Sequence, residues 1–286
     1  MIVRSSRLLI ATDLDRTLLP NGGQPESAAA RPMLRQLVGE GRIGLAYVSG
    51  RSLGLVLEAV PTYDLPMPDW IIADVGATIY HRENDAWERD DQWHALLSRR
   101  WQGKHWQDVL PLVSHIGGIC LQAESAQGDH KLSFDVAKIE DRERVMTEME
   151  SHLDAAGLAY ELIWSVDETV PMGLIDVMAS GATKLGALQW LVASSGTEED
   201  RVLYAGDSGN DLPVLTSDFA SVLVANATDE VKAEALRLAA ANGCGDRLYL
   251  ARGDAFGMNG NYAAGIIEGL AHFFPETLCA IEAAAV

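Results

Sequence analysis

The stretch Asp13-Leu14-Asp15-Arg16-Thr17 follows directly on the apolar run Leu8–Thr12. A short, wholly apolar run of this kind is what a strand buried on both faces looks like. If the chain stays extended as it leaves that strand, positions i and i+2 point to the same side, so Asp13 and Asp15 face one space and Leu14 turns away. The carboxyl end of a strand is where open α/β sheets bind ligands. Two carboxylates held this close do not both ionise cheaply without a cation, and one of them is pushed toward its protonated form. The chemistry this suits is one nucleophile beside a divalent metal and one acid/base. Taken alone, the pair also fits two aspartates capping a turn.

Outward from this point the same grammar repeats. Strand-length apolar runs alternate with helix-period segments: Leu8–Thr12, Ala28–Glu40, Ile43–Val48, Leu53–Val60 and Trp70–Ala73. That order predicts βαβ units on a mostly parallel sheet. It returns near the other end of the chain with strands at Val202–Ala205, Ser221–Ala225 and Leu248–Ala251, and helices at Lys184–Ala193, Asp229–Ala241 and Tyr262–Phe274. Residues 82–180 read differently. They carry five of the seven tryptophans and strand-like pieces at Lys131–Val136, Ala159–Trp164 and Gly173–Met178, around one amphipathic helix near Arg142–Ala156. The expected organisation is therefore an α/β, Rossmann-like core from residues 1–81 and 181–286, with an α+β cap inserted at 82–180. The alanine-rich tail Ala280–Val286 reads as a helix end.

Composition narrows the function classes. The 286 residues carry 22 Lys+Arg against 41 Asp+Glu, a formal charge of −19, so nucleic acid is an unsuitable partner. Cys120, Cys244 and Cys279 are widely spaced, which argues against a disulfide framework or thiolate metal cage and fits a reducing, cytoplasmic setting. The N-terminal apolar run is too short for an export signal, and Tyr262–Phe274 is too short and too interrupted for a membrane span. The seven histidines show no zinc-ligand spacing.

A second acidic motif, Gly206-Asp207-Ser208-Gly209-Asn210-Asp211, also stands immediately after a strand. Two aspartates four apart among glycines and an amide suit oxygen coordination of a hard cation such as Mg²⁺. An ordinary turn with Asp211 as a helix N-cap is the competing reading. Val48-Ser49-Gly50-Arg51 ends one strand and opens a helix, which offers an anion the Ser49 hydroxyl and backbone N–H groups. Lys184 opens another helix and suits charge neutralisation of a transferring phosphoryl group.

In this order the four motifs resemble the haloacid dehalogenase superfamily of phosphohydrolases. Asp13 and Ser49 are 36 positions apart, too few for a helical cap between them, whereas the insertion after Asp74-Val75-Gly76-Ala77-Thr78-Ile79-Tyr80 is similar to the subgroup with an α/β cap of the second type. Within it, the chain resembles the sucrose-phosphatase family through Ser49–Leu53, Pro68–Gly76, His130–Phe134 and Ala263–Phe273.

The resemblance implies a phosphatase for a phosphorylated sugar, sucrose 6-phosphate first, with mannosylfructose phosphate or hexose phosphates as the alternative and a phosphomannomutase-like reaction behind them. It implies that Asp13 attacks phosphorus, that Asp15 is the acid/base, and that Lys184 assists. Mg²⁺ would be bound by Asp13, the Asp15 carbonyl and Asp207, with Asp211 helping, while Ser49, Gly50, Asn210 and Lys184 hold the phosphoryl oxygens. Arg51 would join the substrate site, and Lys131 would reach the substrate from the cap. A functional association with a sugar-phosphate synthase is also compatible with it. Two departures stand out. Arg16 occupies a position where the superfamily commonly has Gly and sucrose phosphatases commonly have Asn, and its side chain is expected to reach the cap or the substrate entrance. The glycine-rich loop from Gly243 to Gly260 is longer than expected before the last helix.

Overall fold

A computed structural model of the chain describes residues 7–39, 41, 43–167 and 172–278. Cys279 and the tail Ala280–Val286 lie outside them. The elements run β1 (Leu8–Thr12), α1 (Ala30–Gly39), β2 (Ile43–Val48), α2 (Leu53–Thr62), β3 (Trp70–Ala73), β4 (Thr78–Glu83), β5 (Ala86–Arg89), α3 (Asp91–Arg100), α4 (Trp106–Val113), β6 (Ile119–Leu121), β7 (Lys131–Val136), α5 (Arg142–Ala155), β8 (Tyr160–Asp167), β9 (Met172–Ala179), α6 (Lys184–Ser195), β10 (Val202–Gly206), α7 (Leu212–Leu215), β11 (Ala220–Leu223), α8 (Asp229–Asn242), β12 (Leu248–Leu250) and α9 (Ala263–Phe273).

The strands form two sheets. The larger has the order β12-β11-β10-β1-β2-β3-β4-β5 and is parallel from β12 to β3. Every residue of β1, β2 and β10 is buried, because helices cover both faces and each alternate side chain has apolar neighbours. Leu8 and Ile10 pack with Leu34, Val56, Ile266 and Leu270 on one side, whereas Leu9 and Ala11 pack with Ala187, Leu188 and Leu191 on the other.

Strand order gives the sheet its working edge. From β1 the chain moves outward through β2 and β3, and from β10 it moves the opposite way through β11 and β12. The connections after neighbouring β1 and β10 therefore diverge, which opens a crevice at their carboxyl ends. Thr12 pairs with Ala205, and the Asp13 N–H still donates to the Ala205 carbonyl at 2.9 Å. Both acidic motifs leave the sheet at this crevice.

The smaller sheet, β6-β7-β9-β8, is antiparallel throughout. Leu132, Phe134 and Val136 on β7 and Ile175 and Val177 on β9 are buried with Val109 and Val113 of α4 and Val145, Met149 and Leu153 of α5. Alternation sends Lys131, Ser133, Leu174 and Asp176 to the other face. The position expected for the boundary, 81/82, falls inside β4. The β4–β5 hairpin extends the large sheet to Arg89, and its run of His81, Arg82, Glu83, Glu88 and Arg89 is the polar texture of an exposed edge rather than of a new layer. Two helices, α3 and α4, lie in a stretch where the sequence pattern predicted none. α3 buries only Trp93 and Leu97, and α4 contains Pro111, so neither shows a long apolar period.

Candidate active site

Asp13 and Lys184 meet at the crevice. Lys184 opens α6, whose N-cap Thr183 accepts a bond from the Gly186 N–H at 3.0 Å. Gly76, at φ +110°, lies against this helix start: a Cβ there would stand 2.3 Å from the Thr183 carbonyl oxygen, so only glycine fits. The buried Lys184 ammonium lies 3.0 Å from Asp13 Oδ1 and donates to Asp211 Oδ1 at 2.7 Å and to Asn210 Oδ1 at 2.9 Å. Burial would lower its pKa, but Asp13 and Asp211 outweigh burial and hold it above the ordinary lysine value. Lys184 is therefore a fixed cation.

Asp211 is fully engaged. Besides Lys184, its Oδ1 accepts from the Tyr204 hydroxyl at 2.5 Å, and its Oδ2 accepts from the Asp207 and Ser208 N–H groups at 3.1 Å each and from Ser208 Oγ at 3.2 Å. Gly206 makes the fold-back fit, since a Cβ there would lie 2.6 Å from Asp211 Cβ. Burial raises the Asp211 pKa, yet Lys184, Tyr204 and the Ser208 bond together hold it below the usual carboxylate value. The residue makes no side-chain cap for α7; it closes the 207–211 turn.

Asp13 and Asp207 are less well balanced. Burial pushes the Asp13 carboxyl well above its ordinary value, and nearby Asp211 and Asp207 add to the push against Lys184. Burial, then Asp211, likewise raises Asp207 to about 7, although Thr17 Oγ1 donates to its Oδ1 at 3.0 Å and Arg16 Nε stands 3.6 Å from its Oδ2. One oxygen from each of Asp13, Asp207 and Asp211 lies within 4.8 Å of the other two. Three buried carboxylates at such separations, two of them with raised pKa values, are a donor set suited to a hard divalent cation. Because Asp211 already accepts five bonds, Asp13 and Asp207 are the carboxylates with capacity to ligate.

Asp15 has partners that the local spacing does not reveal. Its carboxylate receives Arg51 Nε at 2.7 Å, Arg51 Nη2 at 2.6 Å and Asn21 Nδ2 at 2.7 Å. Burial works to raise its pKa, but the Arg51 bonds and charge and the Asn21 bond win, and the group lies below its ordinary value. Arg51 thus pairs with the acid/base candidate. Arg16 also brings its Nε to 3.6 Å from Asp207 Oδ2. The departure in the glycine-rich loop is also accounted for. Glu268, buried on α9, accepts from the Arg252 and Gly253 N–H groups at 2.8 and 2.9 Å. The loop beyond docks on the segment after Arg16 through Asn259 to Ser27 and Tyr262 to Gln24.

A cleft of about 320 Å³ separates this site from the small sheet, lined by Gly50, Ser52, Asp74 and Asn210 on one side and Gln122, Lys131, Ser165 and Asp176 on the other. Ser49 is buried beside it, its hydroxyl accepting the Arg51 N–H at 3.2 Å. Lys131 is buried, not a solvent-facing strand residue; it donates to the Ala126 carbonyl at 3.0 Å and lies 3.8 Å from Asp176. Ser133 donates to Asp176 at 2.5 Å across the β7–β9 pair. Asp176 and Gln122 escaped sequence reasoning; the alternation of Leu174 and Asp176 with buried Ile175 and Val177 was the available signal. No tryptophan lines the cleft, and Trp93 and Trp101 are in the core.

A sequence model of the family described as sucrose-6F-phosphate phosphohydrolase matches residues 6–274. The chain belongs to that family. It is a phosphoric monoester hydrolase of the haloacid dehalogenase fold, and members of this family are sugar-phosphate phosphatases. A putative haloacid-dehalogenase-like hydrolase of Nitrosococcus oceani is 44% identical over 95% of this chain and 73% of its own length. The mannosylfructose-phosphate phosphatase of Agrobacterium fabrum is 26% identical over 93% of this chain and 96% of its own. Among solved structures, the sucrose-phosphatase of a Synechocystis species, in complex with sucrose and phosphate, superposes with a TM-score of 0.75 at 25% identity, covering 94% of this chain and 98% of that one. No helix among the described residues is long and apolar enough to cross a membrane.

Proposed function

We propose that this family member hydrolyses sucrose 6-phosphate to sucrose and phosphate through an aspartyl-phosphate on Asp13. The observation that carries the reading is the pairing of buried Asp13 with the fixed Lys184 cation at 3.0 Å, in a crevice that opens on a polar cleft. The Asp13 carboxylate forms the new O–P bond as the P–O bond to the sugar breaks, and Asp15 delivers a proton to the departing oxygen. Water then attacks phosphorus, Asp15 takes its proton, and the Asp13–phosphorus bond breaks. Each cycle consumes one water and returns both aspartates to their starting forms.

In the arrangement described, Asp15 is the carboxylate needed for the second half; in the first half it must part from Arg51 and carry a proton. Ser49, Gly50 and Asn210 hold phosphoryl oxygens, with Lys184 balancing their charge. The donor set fits Mg²⁺, held by Asp13, the Asp15 carbonyl and Asp207, and when bound the ion would neutralise charge on the phosphoryl group. Residues 90–180 form the cap domain in this reading, where Lys131, Ser133, Asp176 and Gln122 contact the sugar. Among the described residues Cys120, exposed, and Cys244, buried, are free, which supports a cytoplasmic setting.

Comparing kcat/KM across phosphorylated mono- and disaccharides with Mg²⁺ present tests the substrate. Sucrose 6-phosphate should lead by at least about tenfold, and a leading hexose phosphate would overturn it. Mannosylfructose phosphate is the second reading, favoured by the nearly full-length similarity to the Agrobacterium phosphatase.

A further inference from the structure

Arg16 is out of place by the local rules of the backbone. Its φ is +60°, in the left-handed region that glycine and asparagine occupy at little cost and a long L side chain does not. The conformation is imposed from both sides: the Arg16 N–H donates to Asn21 Oδ1 at 2.8 Å, and the Arg16 carbonyl accepts from Asn226 Nδ2 at 2.6 Å. These bonds involve only backbone atoms of residue 16, so the turn needs no arginine. A strained residue kept where a relaxed one would serve points to work done by its side chain.

The side chain runs inward past Gly22 and brings Nε to 3.6 Å from Asp207 Oδ2, with Asp207 only 4% exposed. Lys184 is committed to Asp13 and Asp211 on the other side of the site. The charge on Asp207, one of the two carboxylates with capacity to ligate, is thus partly offset from within the chain. We propose that Arg16 is a tethered competitor for the divalent cation: its guanidinium balances Asp207 in the cation-free protein and must withdraw when the ion enters, which weakens metal binding. The inference rests on the cation site of the proposed function and concerns how tightly that site holds its ion.

Two cations of opposite mobility compete for one oxygen, so removing the tethered one should favour the free one. The test is calorimetric titration of the full chain with Mg²⁺, and Mn²⁺ binding followed by electron paramagnetic resonance, for wild type, Arg16→Asn and Arg16→Lys. Asn suits φ +60°, so Arg16→Asn should fold, and thermal unfolding checks this. Arg16→Asn should bind both ions about tenfold more tightly, whereas Arg16→Lys, which keeps the charge, should stay within about threefold of wild type. Unchanged or weaker binding by Arg16→Asn overturns the proposal, as does a raised KM for substrate with metal affinity unmoved, which would make Arg16 a substrate contact. If wild type and Arg16→Asn both fail to bind either ion, the cation site itself is wrong and this inference falls with it.

Discussion

His130 makes the chain's acid stability a quantitative test of its buried chemistry. The residue precedes Lys131 at the root of β7, is 1% exposed, and has no hydrogen-bond partner at either ring nitrogen among the described residues. Its ring packs against His94, Trp101 and His105 at centroid distances of 4.7, 5.9 and 6.3 Å. Burial, with help from His94, depresses its pKa to about 4, against an ordinary 6.5. The unfolded chain therefore takes up this proton first, and the native state loses stability as pH falls from about 6.5 toward 4. Between pH 7.5 and 4.5 the loss from this one residue is about 2.5 kcal/mol. His130→Phe keeps a ring of similar size and cannot titrate. At pH 7.5 it should lie within about 1 kcal/mol of wild type, since it also removes two unpartnered nitrogens. Urea unfolding of both proteins at pH 7.5 and 4.5 isolates the difference, because every other group is common to them. The variant should lose about 2.5 kcal/mol less over that interval. Parallel losses would refute the claim that His130 is buried and neutral.

The other predictions concern the crevice. Lys184→Met leaves Asp13 and Asp211 buried without their shared cation, and metal-free unfolding should show a loss of about 3–5 kcal/mol at pH 7.5. A loss under about 1 kcal/mol in the same urea titration would mean the carboxylates find another partner. Arg51→Ala removes the group that holds Asp15 below its ordinary pKa, so the acid limb of the pH profile for phospho-enzyme hydrolysis, the step in which Asp15 is the base, should move to higher pH. An unmoved limb would show that Asp15 does not govern it.

How far the sequence reveals this site depends on where each contact comes from. Asp13, Asp207 and Lys184 were legible because each sits at a boundary between elements, and boundaries are written in local pattern: an all-apolar strand that ends in Asp, a turn that opens a helix. Their meeting follows from parallel strand order and the switch between β1 and β10. The Arg51–Asp15 pair was not legible, since local spacing puts both carboxylates in one space and says nothing of a guanidinium 36 positions away. Asp176 enters the cleft through its register with Ser133, which no local pattern specifies. The end of β4 and all of β5 read as part of the insertion because an exposed sheet edge and an α+β domain share the same polar alternation. Arg16 was legible as a departure, but its approach to Asp207 depends on the left-handed turn that Asn21 and Asn226 enforce.

The most direct test is to quench the enzyme in acid during turnover of a phosphorylated disaccharide and map the phosphoryl group by mass spectrometry, in wild type and in Asp15→Ala, where release of the intermediate is slowed. Phosphate should be found on Asp13 alone, accumulating in the Asp15 variant and absent from Asp13→Asn. Turnover without any phosphorylated aspartate, or undiminished phosphate release by Asp13→Asn, would contradict the account.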